Sequence, residues 1–265
     1  MRTPVVTTLA IALAAVTAGR ALPAQETRFS PTIRAGQHLD ISTIDGDVSV
    51  TRGEGRTAEI VATKHVRRGD ASRVKAVMEQ TSDGYKVCTI YLHRDEPDRD
   101  TCNGGSDRRR NNWRDNDNYD IEMSYVVRLP AGAVLGVHTV DGNVDVRGVD
   151  VAATINTVDG DVTYEGVAPT KLSTVDGDIR ATISTASWIA DASMSTVDGS
   201  IDVSLPADIA LEIHGSTVDG SFRSDFPLTI RDKWGPRSIQ GTIGNGATRS
   251  LRLGSVDGDI TLRRR

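Results

Sequence analysis

The chain has 265 residues, a formal net charge of −5, 38% hydrophobic residues and only 4% aromatic ones. The acidic balance argues against a nucleic-acid partner. Beyond the first two dozen residues no stretch is apolar enough to read as a transmembrane segment, so the mature chain is expected to have none.

Residues 1–24 read as a secretory signal peptide. Arg2 is followed by the apolar run Val5 to Ala18 and by small residues up to Ala24. The run falls short of the roughly 20 residues a membrane anchor needs, and Arg20 interrupts its end. No Cys follows to carry a lipid. Residues 25–265 are therefore expected to form one exported, extracytoplasmic β-repeat domain.

Strand-like stretches begin at Thr32-Ile33 and Leu39-Asp40-Ile41 and run into Ile44-Asp45-Gly46, the first copy of a recurring string. It returns as Val140-Asp141-Gly142, Val158-Asp159-Gly160, Val175-Asp176-Gly177, Val197-Asp198-Gly199, Val218-Asp219-Gly220 and Val256-Asp257-Gly258. Thr precedes it in six copies and Ser255 in the last. A small polar residue follows each Gly (Asp47, Asn143, Asp161, Asp178, Ser200, Ser221, Asp259), and an apolar one comes next. From Gly142 to Gly220 the steps are 18, 17, 22 and 21 residues, the length of one supersecondary unit. The last step, 38 residues, holds Thr242-Ile243-Gly244-Asn245-Gly246 as a degenerate copy, and the first, 96, is an insertion.

Asp-Gly is a turn signal, because Gly takes positive φ freely and Asp tolerates it. Val, Ile and Thr at alternate positions around it indicate short strands. Two all-β architectures fit. Asp-Gly could close hairpins of an antiparallel meander or sandwich, or turn the corner of a β-solenoid whose coils stack equivalent residues in ladders. Joint recurrence of Thr, Val, Asp, Gly and a polar residue favours the solenoid, since a good corner is copied coil after coil. It needs few aromatics. Val140, Val158, Val175, Val197 and Val218 are expected to form one inward ladder, with the aspartates beside it at the corner.

Within the insertion, Ala58 to Val66 and Val74 to Tyr91 read as strands, the latter turning at Ser82-Asp83-Gly84. Arg68-Gly69-Asp70 spells an integrin-binding tripeptide, but three common turn residues are the simpler explanation. Cys88 and Cys102, the only cysteines, lack redox spacing and read as a structural disulfide worth about 3 kcal/mol. It would staple a polar insertion at about 88–120. Asp115, Asp117 and Asp120 hint at a cation loop but lack the Gly and closing Glu of an EF-hand. Ile121 to Leu129, ending at Pro130-Ala131-Gly132, brings the chain back to the array. The closing Arg263-Arg264-Arg265 reads as an edge guard.

Little here speaks for catalysis. His38, His65, His93, His138 and His214 are scattered without metal spacing, and there is no Gly-x-Ser-x-Gly or phosphate loop. A polysaccharide-cleaving β-helix would need one asymmetric pair of carboxylates. These carboxylates repeat in every unit and read as turn residues. Aspartates stacked about 4.8 Å apart would repel by about 0.9 kcal/mol per pair in water, which a bound cation would relieve. The calcium-roll repeat is nonetheless absent, so no cofactor or metal is expected.

The Thr-Val-Asp-Gly-Asp-Ile repeats behind a leader, the Cys-containing polar insertion and Arg128-Leu129-Pro130-Ala131-Gly132 resemble the bacterial DUF4097 family, labelled adhesins. The resemblance spans about residues 35–263. It implies a right-handed β-solenoid at the cell envelope without known catalytic activity, and it supplies no binding residues. The expected function is non-enzymatic binding of a cell-surface protein or glycan by a rigid repeat surface. The alternative is a structural or calcium-stabilised envelope repeat.

Overall fold

The computed structural model describes residues 25–92, 101–102, 120–150, 152–167, 169–186, 190–231 and 237–265. The leader and most of the polar insertion, with Asp115 and Asp117, lie outside the described residues. Among the described residues strands make up nearly all the regular structure, with one three-residue 3-10 turn at Ala71–Arg73. The first strands are β1 (Gln25–Phe29), β2 (His38–Ser42), β3 (Val48–Arg52) and β4 (Glu59–Arg68). Next come β5 (Val74–Gln80), β6 (Gly84–Tyr91) and β7 (Asp120–Leu129). The regular array holds β8 (Val134–His138), β9 (Val144–Val149), β10 (Ala153–Asn156) and β11 (Val162–Gly166). It continues with β12 (Lys171–Ser173), β13 (Ile179–Ile183), β14 (Ala192–Ser195) and β15 (Ile201–Leu205). The last strands are β16 (Leu211–Asp219), β17 (Phe222–Ser224), β18 (Thr229–Arg231), β19 (Arg237–Ile243), β20 (Ser250–Asp257) and β21 (Ile260–Arg264).

These strands form two sheets, of ten and eleven strands, and each motif copy crosses from the eleven-stranded sheet to the ten-stranded one. Between coils the pairing is parallel, as in Val144↔Val162, Val162↔Ile179 and Ile179↔Ile201. At the corner the aspartates bridge in parallel from Asp45 through Asp141, Asp159, Asp176 and Asp198 to Asp257. Asp219 pairs with Asp257 in turn. Equivalent residues are thus immediate neighbours, as in a β-solenoid; in a meander an intervening strand would separate them.

The stack does not follow the chain at its ends. The coil of β2 and β3 lies between the β6–β7 coil and the β8–β9 coil, and the β20–β21 coil lies between β14–β15 and β16–β17. In the β6–β7 coil the insertion stands where the others have Asp-Gly. Antiparallel strands finish the ends: β5 on β6, β4 and β1 beyond β7, and β19 and β18 beyond β16. The degenerate copy is thus corrected. Thr242 and Ile243 pair antiparallel with Glu212 and Leu211, and no corner forms there.

One core lies between the sheets. Leu39, Ile41, Val50, Ile155, Leu172, Ile179, Ile201 and Leu251 are among its fully buried members, with Tyr125 and Tyr164 as the large fillers. The expected inward valine ladder is overturned. Ile44, Val140, Val158, Val175, Val197, Val218 and Val256 are 39 to 52% exposed, and the preceding Thr43, Thr139, Thr157, Thr174, Thr196, Thr217 and Ser255 are buried instead. From Leu172 the inward face falls on alternate residues, so Thr174 points in and Val175 points out.

Candidate functional site: the corner edge

Every part of the corner except two side chains has a folding role. Glycine is needed because a Cβ at Gly142, Gly160, Gly177, Gly199, Gly220 or Gly258 would collide with the carbonyl of the glycine one coil away. That carbonyl has its own partner, the hydroxyl of the inward Thr or Ser. Thr174 Oγ1 donates to Gly160 O at 3.0 Å, Thr196 Oγ1 to Gly177 O at 3.0 Å and Ser255 Oγ to Gly199 O at 3.0 Å. Thr157 and Thr217 repeat the bond to Gly142 and Gly258. This is how a hydroxyl can sit in the core without the cost of an unmet polar group. Thr139 departs from the pattern, since its buried hydroxyl has no partner.

The small polar residue after Gly caps the following coil. Its side chain accepts the backbone N–H of the same position one coil on: Asp47 from Asn143, Asn143 from Asp161, Asp161 from Asp178, and Asp178 from Ser200. Asp259 accepts from Ser221, at 2.8 Å. The remaining backbone donors pair along the stack. Asp159 and Asp176 N–H reach the valine carbonyl of one neighbouring coil, while Gly160 N–H reaches the aspartate carbonyl of the other. The corner leaves few buried groups unmet, as a dry stack requires.

What remains are the valine and aspartate side chains. The seven branched apolar side chains form one exposed stripe. Of the aspartates Asp45, Asp141, Asp159, Asp176, Asp198, Asp219 and Asp257, only Asp45 is half-buried; the rest are exposed. None of the seven has a basic side chain within ion-pair distance among the described residues, whereas carboxylates on the ten-stranded sheet and just before its strands do. Asp145 pairs with Arg147, Asp161 and Asp178 with Arg180, Asp202 with Arg263, and Asp259 with Arg223. Burial, with Asp141 and Glu122 beside it, raises the Asp45 carboxyl above its ordinary pKa, and Arg67 opposes the shift. The eleven-stranded sheet carries neutral side-chain contacts such as Asn156 to His138 and Ser195 to Ser173.

A model of the Toastrack family, DUF4097, matches residues 31–263. The chain belongs to that family. No curated protein matches it significantly. Among solved structures, it resembles a protein named as a putative cell adhesion protein from Clostridium sporogenes. The likeness has a TM-score of 0.50 at 9% identity and covers 91% of this chain and 100% of that one. A putative adhesin from Bacteroides fragilis aligns at 11% identity and TM-score 0.36, over 90% of this chain and 97% of that one. Identities this low speak to fold alone.

Elsewhere in this Toastrack chain the other candidates resolve into structural roles. Cys88 and Cys102 form a disulfide with Cα atoms 5.6 Å apart. Lys86 Nζ donates to Cys102 O, and Cys102 N–H to Glu79 Oε1, so the foot of the insertion is held to β5 and β6. In Arg68-Gly69-Asp70 the aspartate is a helix cap, its Oδ1 accepting from Ser72 N at 2.9 Å and Ser72 Oγ at 2.7 Å. Among the described residues no three His, Cys, Asp or Glu side chains converge on a metal position, and no helix is long and apolar enough to cross a membrane. The exposed stripe escaped sequence reasoning, but its signal was present: period two counted from Leu172 places Val175 outward.

Proposed function

We propose that the chain is a non-enzymatic, adhesin-like β-solenoid, wound right-handed, whose corner edge is a rigid surface for binding a protein or glycan at the cell envelope. Seven exposed valine-type side chains, with seven carboxylates that have no basic partner among the described residues, carry this reading. Folding accounts for every other residue of the motif, and exposed apolar stripes on soluble proteins mark interaction sites. The leader would be removed after Ala24 and residues 25–265 would act outside the cytoplasm as one domain. The disulfide supports such an oxidising compartment. Motif carboxylates that recur in every coil, rather than as one asymmetric pair, support an adhesive role over a catalytic one.

The test has two arms. Mass spectrometry of the exported protein should find Gln25 at the amino terminus and the Cys88–Cys102 bond intact. A screen of residues 25–265 against glycan and matrix-protein arrays should return ligands whose capture falls when Val158, Val175 and Val197 are all changed to Ser. Turnover of a polysaccharide, lost on changing one carboxylate, would overturn the reading.

A further inference from the structure

The corner edge repeats with the stack, so its ligand must meet a fixed period. Neighbouring coils are about 4.8 Å apart, and six steps separate Ile44 from Val218 in the stack order, giving a stripe roughly 29 Å long. Each rung offers one half-exposed branched apolar side chain and, one residue on, one carboxylate without a basic partner among the described residues. A ligand that satisfies both must bring an apolar group and a cation to every rung. Among the described residues the edge carries no aromatic side chain on which a sugar ring could stack.

Period decides among polypeptides. Same-face residues of a single extended strand recur at about 6.7 Å, so a lone peptide drifts out of step with the rungs after one or two contacts. Parallel, in-register stacked strands recur at about 4.8 Å along their ladders and can meet the edge at every coil. A second copy of this chain has that period but carries an aspartate ladder of its own, so two edges would set like charges against each other.

Resting on the proposed adhesive role, we propose that the Val–Asp corner edge docks a basic cross-β partner. This is a parallel β-stack or fibre that presents an apolar ladder beside a Lys or Arg ladder. The valine stripe packs against the apolar ladder, and the aspartates pair with the cations. Identical rungs make the contact additive along the edge, so affinity grows with the number of coils engaged.

The probe is a fibre of a synthetic peptide whose strand carries Lys and Val on one face, compared with the same peptide as monomer. The mature chain is expected to bind the fibre at least about tenfold more tightly than the monomer, a difference of about 1.4 kcal/mol. Val158→Ser with Val175→Ser and Val197→Ser should weaken fibre binding about tenfold and leave its salt dependence. Asp159→Asn with Asp176→Asn and Asp198→Asn should weaken it similarly and flatten the salt dependence. A control with Asp145→Asn, Glu165→Gln and Asp202→Asn on the ten-stranded sheet should bind like the parent. Should a triple variant unfold, single Val175→Ser and Asp176→Asn variants give the same comparison. Equal binding of monomer and fibre, equal loss in the control, or sedimentation showing a dimer that the valine variant abolishes would each overturn the proposal. Array ligands indifferent to both stripe variants would refute the edge while sparing the adhesive role. Empty arrays beside stripe-dependent fibre binding would refute the array ligands and support the edge.

Discussion

Thr174 shows how a polar residue comes to be core. Its Oγ1 satisfies the Gly160 carbonyl in a site from which water is excluded. Thr174→Val keeps the shape but strands that carbonyl, and should cost about 1–3 kcal/mol. Thr174→Ser should cost far less, since Ser255 makes the same bond to Gly199. Denaturant midpoints of the two variants decide it, and equal losses would mean that methyl packing, not the hydroxyl, matters. Asp45 gives the other prediction at this scale. Burial first, then Asp141 and Glu122, raises its folded pKa above the unfolded value. Its ionisation therefore opposes folding at neutral pH, and the penalty is relieved as pH falls through the folded pKa and is gone below about 3.9, the unfolded value. Asp45→Asn should melt higher than the parent at pH 7, with the gap closing towards pH 3.5. A constant or inverted gap would refute the assignment. The motif was legible as a repeat from its letters, but placing Val inward followed hydrophobicity where strand alternation ruled.

The corner behaves as a single element because its glycines touch across coils. Gly177→Ala would drive a methyl into the Gly160 carbonyl, and neither backbone can retreat without breaking the Asp159–Asp176 bridge. The expected cost is about 3 kcal/mol, the upper range for overpacking. Gly254 in β20 has open space where its Cβ would be. Gly254→Ala should therefore be neutral or stabilise by up to about 1 kcal/mol through the unfolded chain. Chemical denaturation of both proteins tests the contrast, which fails if they shift alike. Strand and turn chemistry at this scale was readable. Ser82-Asp83-Gly84 turns the β5–β6 hairpin as expected, with Thr81 N–H on Gly84 O. Gly244-Asn245-Gly246 misled because the same turn residues serve a hairpin and a corner equally well. Only the partner strand tells them apart.

That partner is a property of the whole molecule, and coil order was the least legible feature. Nothing local in β20 or β21 says that this last segment enters between two coils made earlier. Its position makes a chain end into an interior layer: β20 lies between β14 and β16, and β21 between β15 and β17. Removing residues 250–265 takes out Leu251, Leu253, Ile260 and Leu262, all buried. At about 1.5–3 kcal/mol each their loss is roughly 6–12 kcal/mol, comparable with the 5–15 kcal/mol that holds a typical domain together. It also leaves β17 without a partner strand in its sheet. Deleting residues 158–174 removes a similar length from the middle of the chain, yet it joins Thr157 to Val175 and preserves the motif. The stack closes up by one coil, with β13 taking the place of β11 beside β9. In a quasi-one-dimensional array the loss is then one coil and its interfaces, with no gap left behind. The internal deletion should give a cooperatively melting β-rich protein with a lower midpoint, whereas the terminal truncation should be unfolded or aggregated. Circular dichroism and thermal melts of the two proteins make the comparison. A well-folded truncation beside an unfolded internal deletion would refute the interleaved order of coils.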